Sequence, residues 1–519
     1  MAPGGFIAIP TGREIGDMAE NYAHESHFNF VGGINQAAGK LVRVNDEVDF
    51  IQNGELEQIG PIHKARGYSQ RGADVSTDHN ILGAVGAIKS DGTMKQIVVA
   101  DETGNSDAFT YNSISDVWTQ HALSLTSGSK AELEQFLDGF FMVNFTEATR
   151  FNDFTQWYTT TNVTNAPKAK YIKLYLSRLY LGYVVDGAST YPSRVIYSEL
   201  PTGTPYSLTW NNTDNYFDVD PEDGDVIKAL SVNANRLLVF KENTLHRYDT
   251  NTRYKVPGCP GTVSQRSVRE IQGWTMYLHS SGIWGYDGTT SQLLSRKIKD
   301  IIDGISTRDF TNACATVRGD HYYLYVGDIN NTKTGLTITK CLIDMDIAKN
   351  AFTIRSLEKE PQMFFDYRDD RSNVTYDSAT ITYDDANTTY NGLVSSEQRI
   401  FFGATDGAVY QFDTGNTFDG TDISFIVETQ DYYLGYPAIN KLFQKIIMFV
   451  DSRKSVQVQY KLDEDNWKSL GKVTKTQSEL IFPSGSRGKR IKLRVSESSS
   501  GDRFAFEGFD VYFTAEGLN

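Results

Sequence analysis

Cysteine is scarce: there are three in 519 residues, Cys259, Cys314 and Cys341. They are odd in number and far apart, with no CxxC and no His-rich companion, so the sequence carries no disulfide framework and no zinc-finger spacing. They read as buried thiols of a chain made in a reducing compartment. Long apolar runs are also missing. None approaches the roughly 20 residues that cross a bilayer as a helix, and Met1 to Pro10 lacks the charged region, apolar stretch and cleavage pattern of a secretory signal. A soluble chain, not exported by that route, is expected. Positive charge is in deficit, with 50 Lys and Arg against 65 Asp and Glu for a net charge of −15. That balance argues against tight wrapping of nucleic acid, but it leaves open a conduit whose acidic walls do not hold DNA.

Catalytic motifs are equally sparse. There is no GxGxxG, no GxxxxGK[ST] and no GxSxG, and Gly32-Gly33 lacks the strand-to-helix setting that aims amides at a phosphate. No HExxH occurs among the eight histidines; the one close pair, His24 and His27, could touch a common ion only from a helix and would still need another ligand. The densest acid cluster is Asp218, Asp220, Glu222, Asp223 and Asp225, around Pro221 and Gly224. Its alternation resembles the start of a calcium loop, but Asp223 stands where the turn glycine belongs and no Glu follows at the twelfth position. A solvated turn is the simpler reading, and a loop contacting a partner or an ion is the alternative. The string SDGT, Ser90 to Thr93, shares part of the Asp-box turn of sialidase-like propellers without its closing aromatic and without repetition. No carboxylate pair stands out for glycoside hydrolysis. The expectation is a protein that is not an enzyme, with no catalytic, cofactor-binding or metal-ligating residue assigned and no cofactor.

Aromatics are abundant. Tyr 29, Phe 29 and Trp 6 accompany 43 Gly, a mixture that suits many short strands and turns. From about residue 85 a short apolar strand, a turn and a second strand ending in an aromatic recur seven times, centred on Val98, Met142, Leu181, Val239, Tyr277, Tyr325 and Phe402. The mean spacing of about 51 residues is the size of a propeller blade. A lone hairpin of this kind cannot bury its apolar faces, whereas radial closure of six to eight four-stranded sheets buries them and protects the edges. Stacked β-sandwiches are the alternative. The Thr- and Tyr-rich stretch from Arg368 to Gly392 reads as an extra hairpin. The fold class expected is all-β: an N-terminal arm over residues 1–84, with short strands near Val42, Val44 and Phe50; a β-propeller over 85–417; and a C-terminal β-sandwich, jelly-roll or immunoglobulin-like, over 418–519. In that last stretch Val456, Val458 and Tyr460, then Ile491, Leu493 and Val495, alternate with polar residues.

Several strings resemble one family. Between Tyr216 and Gly288 a DGD turn leads to NRLLVF from Asn235, HRYD from His246, SQRSV from Ser264 and MYLHSSGIWGYDG from Met276. This run is similar to the middle of bacteriophage tail hub and tail nozzle proteins and the related packaged-DNA stabilisation proteins of short-tailed phages. FNFVGGIN from Phe28 resembles the family's opening, and the stretch from Phe412 to Ser452 its propeller-to-sandwich junction. The motifs are structural ones, and no catalytic signature anchors them. The resemblance implies a virion structural protein of the phage tail, assembled in the host cytoplasm as a homohexameric ring around the DNA channel. Its partners would be copies of itself, adaptor, portal or other tail proteins, and double-stranded DNA passing through without specific binding. Hub, nozzle and plug share these strings. The alternative is a receptor- or glycan-binding propeller at a fibre tip, on which Trp118, Trp157 and Trp210 would stack against sugars.

Overall fold

The structure is a computed structural model. It describes residues 23–516 except 57–58, 77–78, 113–114, 160–162, 203–206, 250–251, 369–397, 436, 452–454 and 499–502. The hairpin expected after Arg368 lies outside the described residues. The chain divides into two compact units, one of Arg66–Asn350 and Ile354–Thr421, the other of the residues up to Ala65, Ala351–Thr353 and those from Asp422 onward.

The first unit is a β-propeller of seven antiparallel blades, five of which are separate four-stranded sheets. Their second strands are Met94–Asp101, Gly139–Val143, Arg178–Asp186, Arg236–Lys241, Trp274–His279, His321–Asn331 and Gln398–Ala404. Each contains one of the seven centres read from the sequence. The first strands are Ile81–Ile88, Glu132–Phe136, Lys168–Tyr175, Ile227–Asn233, Arg269–Ile271, Cys314–Arg318 and Pro361–Arg368. Each packs on the next, and Pro361–Arg368 packs back on Ile81–Ile88, so the ring closes. The seventh blade takes its fourth strand from earlier in the chain: Tyr68–Gln70 pairs antiparallel with Val409–Phe412, Phe412 facing Tyr68.

Blade strands differ because their surroundings do. Second strands lie between neighbouring blades on both faces and are apolar in their central residues, as in Arg236–Lys241, where Leu237 to Phe240 are all buried. The fourth strand of blade 4, Thr252–Lys255, is wholly exposed. The cores therefore sit between blades: Phe141 with Leu181 and Ile196, Tyr180 with Leu230 and Val239, Phe240 with Tyr277 and Tyr286, Val98 with Phe365 and Phe401. Near the axis the strands converge too closely for a side chain. A Cβ on Gly86 would lie 2.1 Å from the carbonyl oxygen of Asp366.

Gly407 marks the hairpin between the second and third strands of the seventh blade. Its φ is +84°, and a Cβ there would lie 1.5 Å from the carbonyl oxygen of Ser76. Gly407→Val is therefore expected to lose at least about 2 kcal/mol, from left-handed strain and the forced displacement of the segment around Ser76. Chemical denaturation checks this; an unchanged midpoint would contradict the turn assignment.

The second unit is a sandwich of two largely antiparallel sheets. One contains Ala23–His27, Ile62–Lys64, Lys441–Asp451, Gln477–Ile481 and Ala505–Ala515; the other contains Glu47–Gln52, Phe425–Thr429, Val456–Leu462, Lys468–Val473 and Ile491–Glu497. Val456, Val458, Tyr460, Ile491, Leu493 and Val495 are buried, as their alternation predicts. Phe425 meets Phe504 edge-on at 4.8 Å, and Tyr460 meets Phe482 at 5.0 Å.

The domain division differs from the expected one. Ala23 to Ala65 belong to the sandwich instead of forming an arm, and Tyr68–Gln70 and Ile81–Ile88 belong to the propeller. Charge pairing holds the N-terminal part in place: Lys64 and Glu497, each 2% exposed, meet at 2.7 Å, and Lys492 binds Asp49 at 2.6 Å. Val42 and Val44 are exposed and lie outside any strand, whereas Phe50 is in one. The sandwich resumes at Asp422, four residues later than expected.

Candidate functional site

The residues singled out in the sequence do not gather into a catalytic centre. His24 and His27 lie on the strand Ala23–His27, where an offset of three places side chains on opposite faces. His24 stacks on Tyr512; His27 is buried against Tyr432 and Phe509, and burial lowers its pKa to about 4. They share no ion. The three cysteines are buried and free, with the Cys314 thiol pushed up to about 12 by burial. In SDGT, Asp91 accepts from the Thr93 amide at 2.8 Å within a hairpin turn.

The acid cluster joins blade 3 to blade 4, and most of its carboxylates are occupied. Asp218 takes two bonds from Arg194, at 2.7 and 2.8 Å. Lys241, fully buried, donates to the Asp220 carbonyl and, at 2.5 Å, to the Asp223 carboxylate. Burial alone would raise the Asp223 pKa, but the bonds from Lys241 and the Asp225 amide outweigh it and hold the carboxyl below its ordinary value. Asp225 accepts from the amides of Val226, Glu242 and Asn243. The cluster is a cross-braced turn. Among the described residues no group of three or more His, Cys, Asp or Glu is placed to hold a metal ion.

The tryptophans offered as sugar platforms are elsewhere. Trp118 is 8% and Trp210 1% exposed, both inside blade cores, and Trp157 is half-buried edge-on to Phe140.

What the fold does bring together is the string SQRS, Ser264 to Ser267, a short 3-10 turn leading into blade 5. Ser264 Oγ donates to the Ala313 carbonyl before blade 6, at 2.7 Å. Gln265 accepts from and donates to the backbone of Leu230 in blade 4. Arg266, 5% exposed, reaches across the axis. Its guanidinium binds the Glu132 carboxylate at 2.9 Å, the Gln362 carbonyl at 3.0 Å, the Leu82 carbonyl at 2.5 Å and the Ala131 carbonyl at 3.2 Å, on or beside the first strands of blades 2, 7 and 1. Ser267 accepts on its carbonyl from Tyr322 Oη of blade 6, at 2.7 Å. Four consecutive residues thus tie five other blades together, which gives the string its physical sense.

Beside Arg266 is a cavity of about 340 Å³, lined by Ser129, Lys130, Glu132, Asn144, Phe145, Thr146, Lys170, Tyr171, Val263 to Arg266 and Thr311. No sequence signal marks it, because its residues come from separate blade connections. A larger, more open depression of about 650 Å³ lies around Asn165, Asp186 and Trp210. Among the described residues no helix is long and apolar enough to cross a membrane.

No family model and no curated protein matches the chain. Among solved structures, the computationally designed Ika8 protein matches along its whole length and 66% of this chain, with 10% identity and a TM-score of 0.35. At that level of similarity the blade count rests on this chain's own strand pairing.

Proposed function

We propose that this protein is a non-enzymatic structural component of a bacteriophage tail, forming a ring around the DNA channel that retains packaged DNA and conducts it during ejection. The observation that carries the reading is the braced, closed propeller, in which the strings that resemble tail hub and nozzle proteins are structural staples. SQRSV binds blades together, the DGD turn is braced by Lys241 on Asp223, and MYLHSSGIWGYDG forms the second and third strands of blade 5. A role that needs rigid walls and no chemistry accounts for conspicuous motifs that hold no reactive group.

Arg266 crosses the axis of the propeller, so DNA would pass between subunits and not through one. Ring closure by a repeated heterologous contact provides such a lumen. With −15 per chain, acidic walls would repel phosphates and limit counterion-release binding that would hold the genome back. Partners of this ring would be adaptor, portal or other tail proteins. The fibre-tip reading is weaker, since Trp118 and Trp210 are core residues. Native mass measurement separates the two: six copies of the 58.1 kDa chain are expected, whereas a trimer with affinity for host glycan would favour the fibre tip.

A further inference from the structure

The cavity beside Arg266 has a charge pattern at odds with the chain as a whole. Its ionisable cations are Lys130, Lys170 and Arg266, and its one carboxylate, Glu132, is already paired with Arg266. Lys130 and Lys170 therefore bring two uncompensated positive charges to a concave space in a protein of net charge −15. Neither lysine has a carboxylate partner among the described residues. Lys130 Nζ donates to the side-chain carbonyl of Asn312 at 2.9 Å, and Lys170 Nζ lies over the rings of Tyr183, at 3.7 Å, and Phe145, at 4.7 Å. An ammonium on an aromatic face keeps N–H donors free for an acceptor.

Around the lysines the Thr146 hydroxyl and the Asn144 amide donate to Glu147, and the Thr311 hydroxyl donates to the Arg308 carbonyl. The Ser129 hydroxyl is left to face the cavity, whose volume of about 340 Å³ is at the small end of ligand pockets. Two lysines acting as point charges, with one hydroxyl donor beside them, suit a compact phosphate group. A duplex needs a long open groove, which this cavity is not. Lys130 lines the cavity while remaining exposed to solvent, in a densely packed surround. Burial first, then the neighbouring Arg266 charge, bring its pKa down to about 8, with Glu132 opposing and buried Cys314 a minor neighbour. A second negative charge placed there would relieve that cost.

We infer that the cavity between Lys130 and Lys170 is a binding site for a small phosphate-type dianion, held by the two ammonium groups and the Ser129 hydroxyl, with Arg266 as its fixed floor. The inference does not depend on the tail reading.

The test is calorimetric titration of the full chain with inorganic phosphate and, separately, glycerol phosphate, at constant ionic strength and pH 7.5. Saturable binding with a stoichiometry of one per chain is expected. Lys130→Met and Lys170→Met should each weaken it at least tenfold, and Lys130→Arg should retain it, while Lys475→Met on the sandwich unit should bind as the parent does. Tighter binding of the ester would assign the ligand as a phosphorylated small molecule, and equal binding would assign the free ion. Glycerol phosphate is a dianion throughout the range from pH 7.5 to 9.5, its second ionisation being near pH 6. Its affinity should therefore fall several-fold over that range as Lys130 loses its proton, and should fall less in Lys130→Met. Absence of saturable binding, or Met variants that fold and bind like the parent, would overturn the inference.

Discussion

Replacing Arg266 by Met should destabilise the propeller unit by about 3–5 kcal/mol, the usual cost of removing one partner from a buried charged network. The loss is not that of a single ion pair. Arg266 donates to the Glu132 carboxylate and to the carbonyls of Leu82, Ala131 and Gln362, and methionine removes all four bonds, the Leu82 carbonyl keeping its bond from the Ala131 amide. Lysine does not rescue it, because one ammonium with three N–H groups cannot reproduce a planar fork that serves acceptors on three blades. With two compact units in the chain, unfolding is not a single two-state event. The measurement is thus the shift of the propeller transition, followed by hydrogen exchange at the first strands of blades 1, 2 and 7. A shift below about 1 kcal/mol would mean that the guanidinium is dispensable and the blades hold by packing alone.

Tyr68→Ala should cost a similar amount, about 3–5 kcal/mol, by emptying a core position on the strand that completes the seventh blade. Tyr68 is 1% exposed, stacks on Phe418 at 5.1 Å, and meets Phe402 and Tyr410 edge-on at 5.2 and 5.3 Å. Its hydroxyl accepts from the Lys359 amide at 3.0 Å. Tyr68→Phe keeps the ring and loses only that acceptor, so it should cost about 1 kcal/mol. The contrast between the two variants, read by thermal unfolding, separates ring closure by packing from closure by one hydrogen bond. Equal effects would contradict the packing role.

The contrast also shows what the sequence makes legible. Seven second strands announce themselves because each is apolar on both faces between two blades, so Val98, Met142, Leu181 and their counterparts form runs that stand out. The strand Tyr68–Gln70 does not: three residues carry no periodicity, and its partner Val409–Phe412 lies some 340 positions further on. Ile81–Ile88 is diluted by Gly83 and Gly86, which the crowding near the axis requires. The N-terminal stretch reads as an arm because its place in the sandwich depends on Asp49 and Lys64 meeting Lys492 and Glu497, pairings between the two ends of the chain. In the SQRS string, each polar side chain has a role that only the third dimension supplies. Lys130 and Lys170, 40 residues apart and ordinary in context, give no sequence signal for the cavity they share.

The tail-ring proposal stands or falls most directly on the symmetry of the assembled protein. Electron microscopy of the purified full chain, classified without imposed symmetry, is expected to show a six-fold ring of propellers around a lumen wide enough for a DNA duplex. A three-fold particle without a lumen, or a chain that stays monomeric at high concentration, would contradict it.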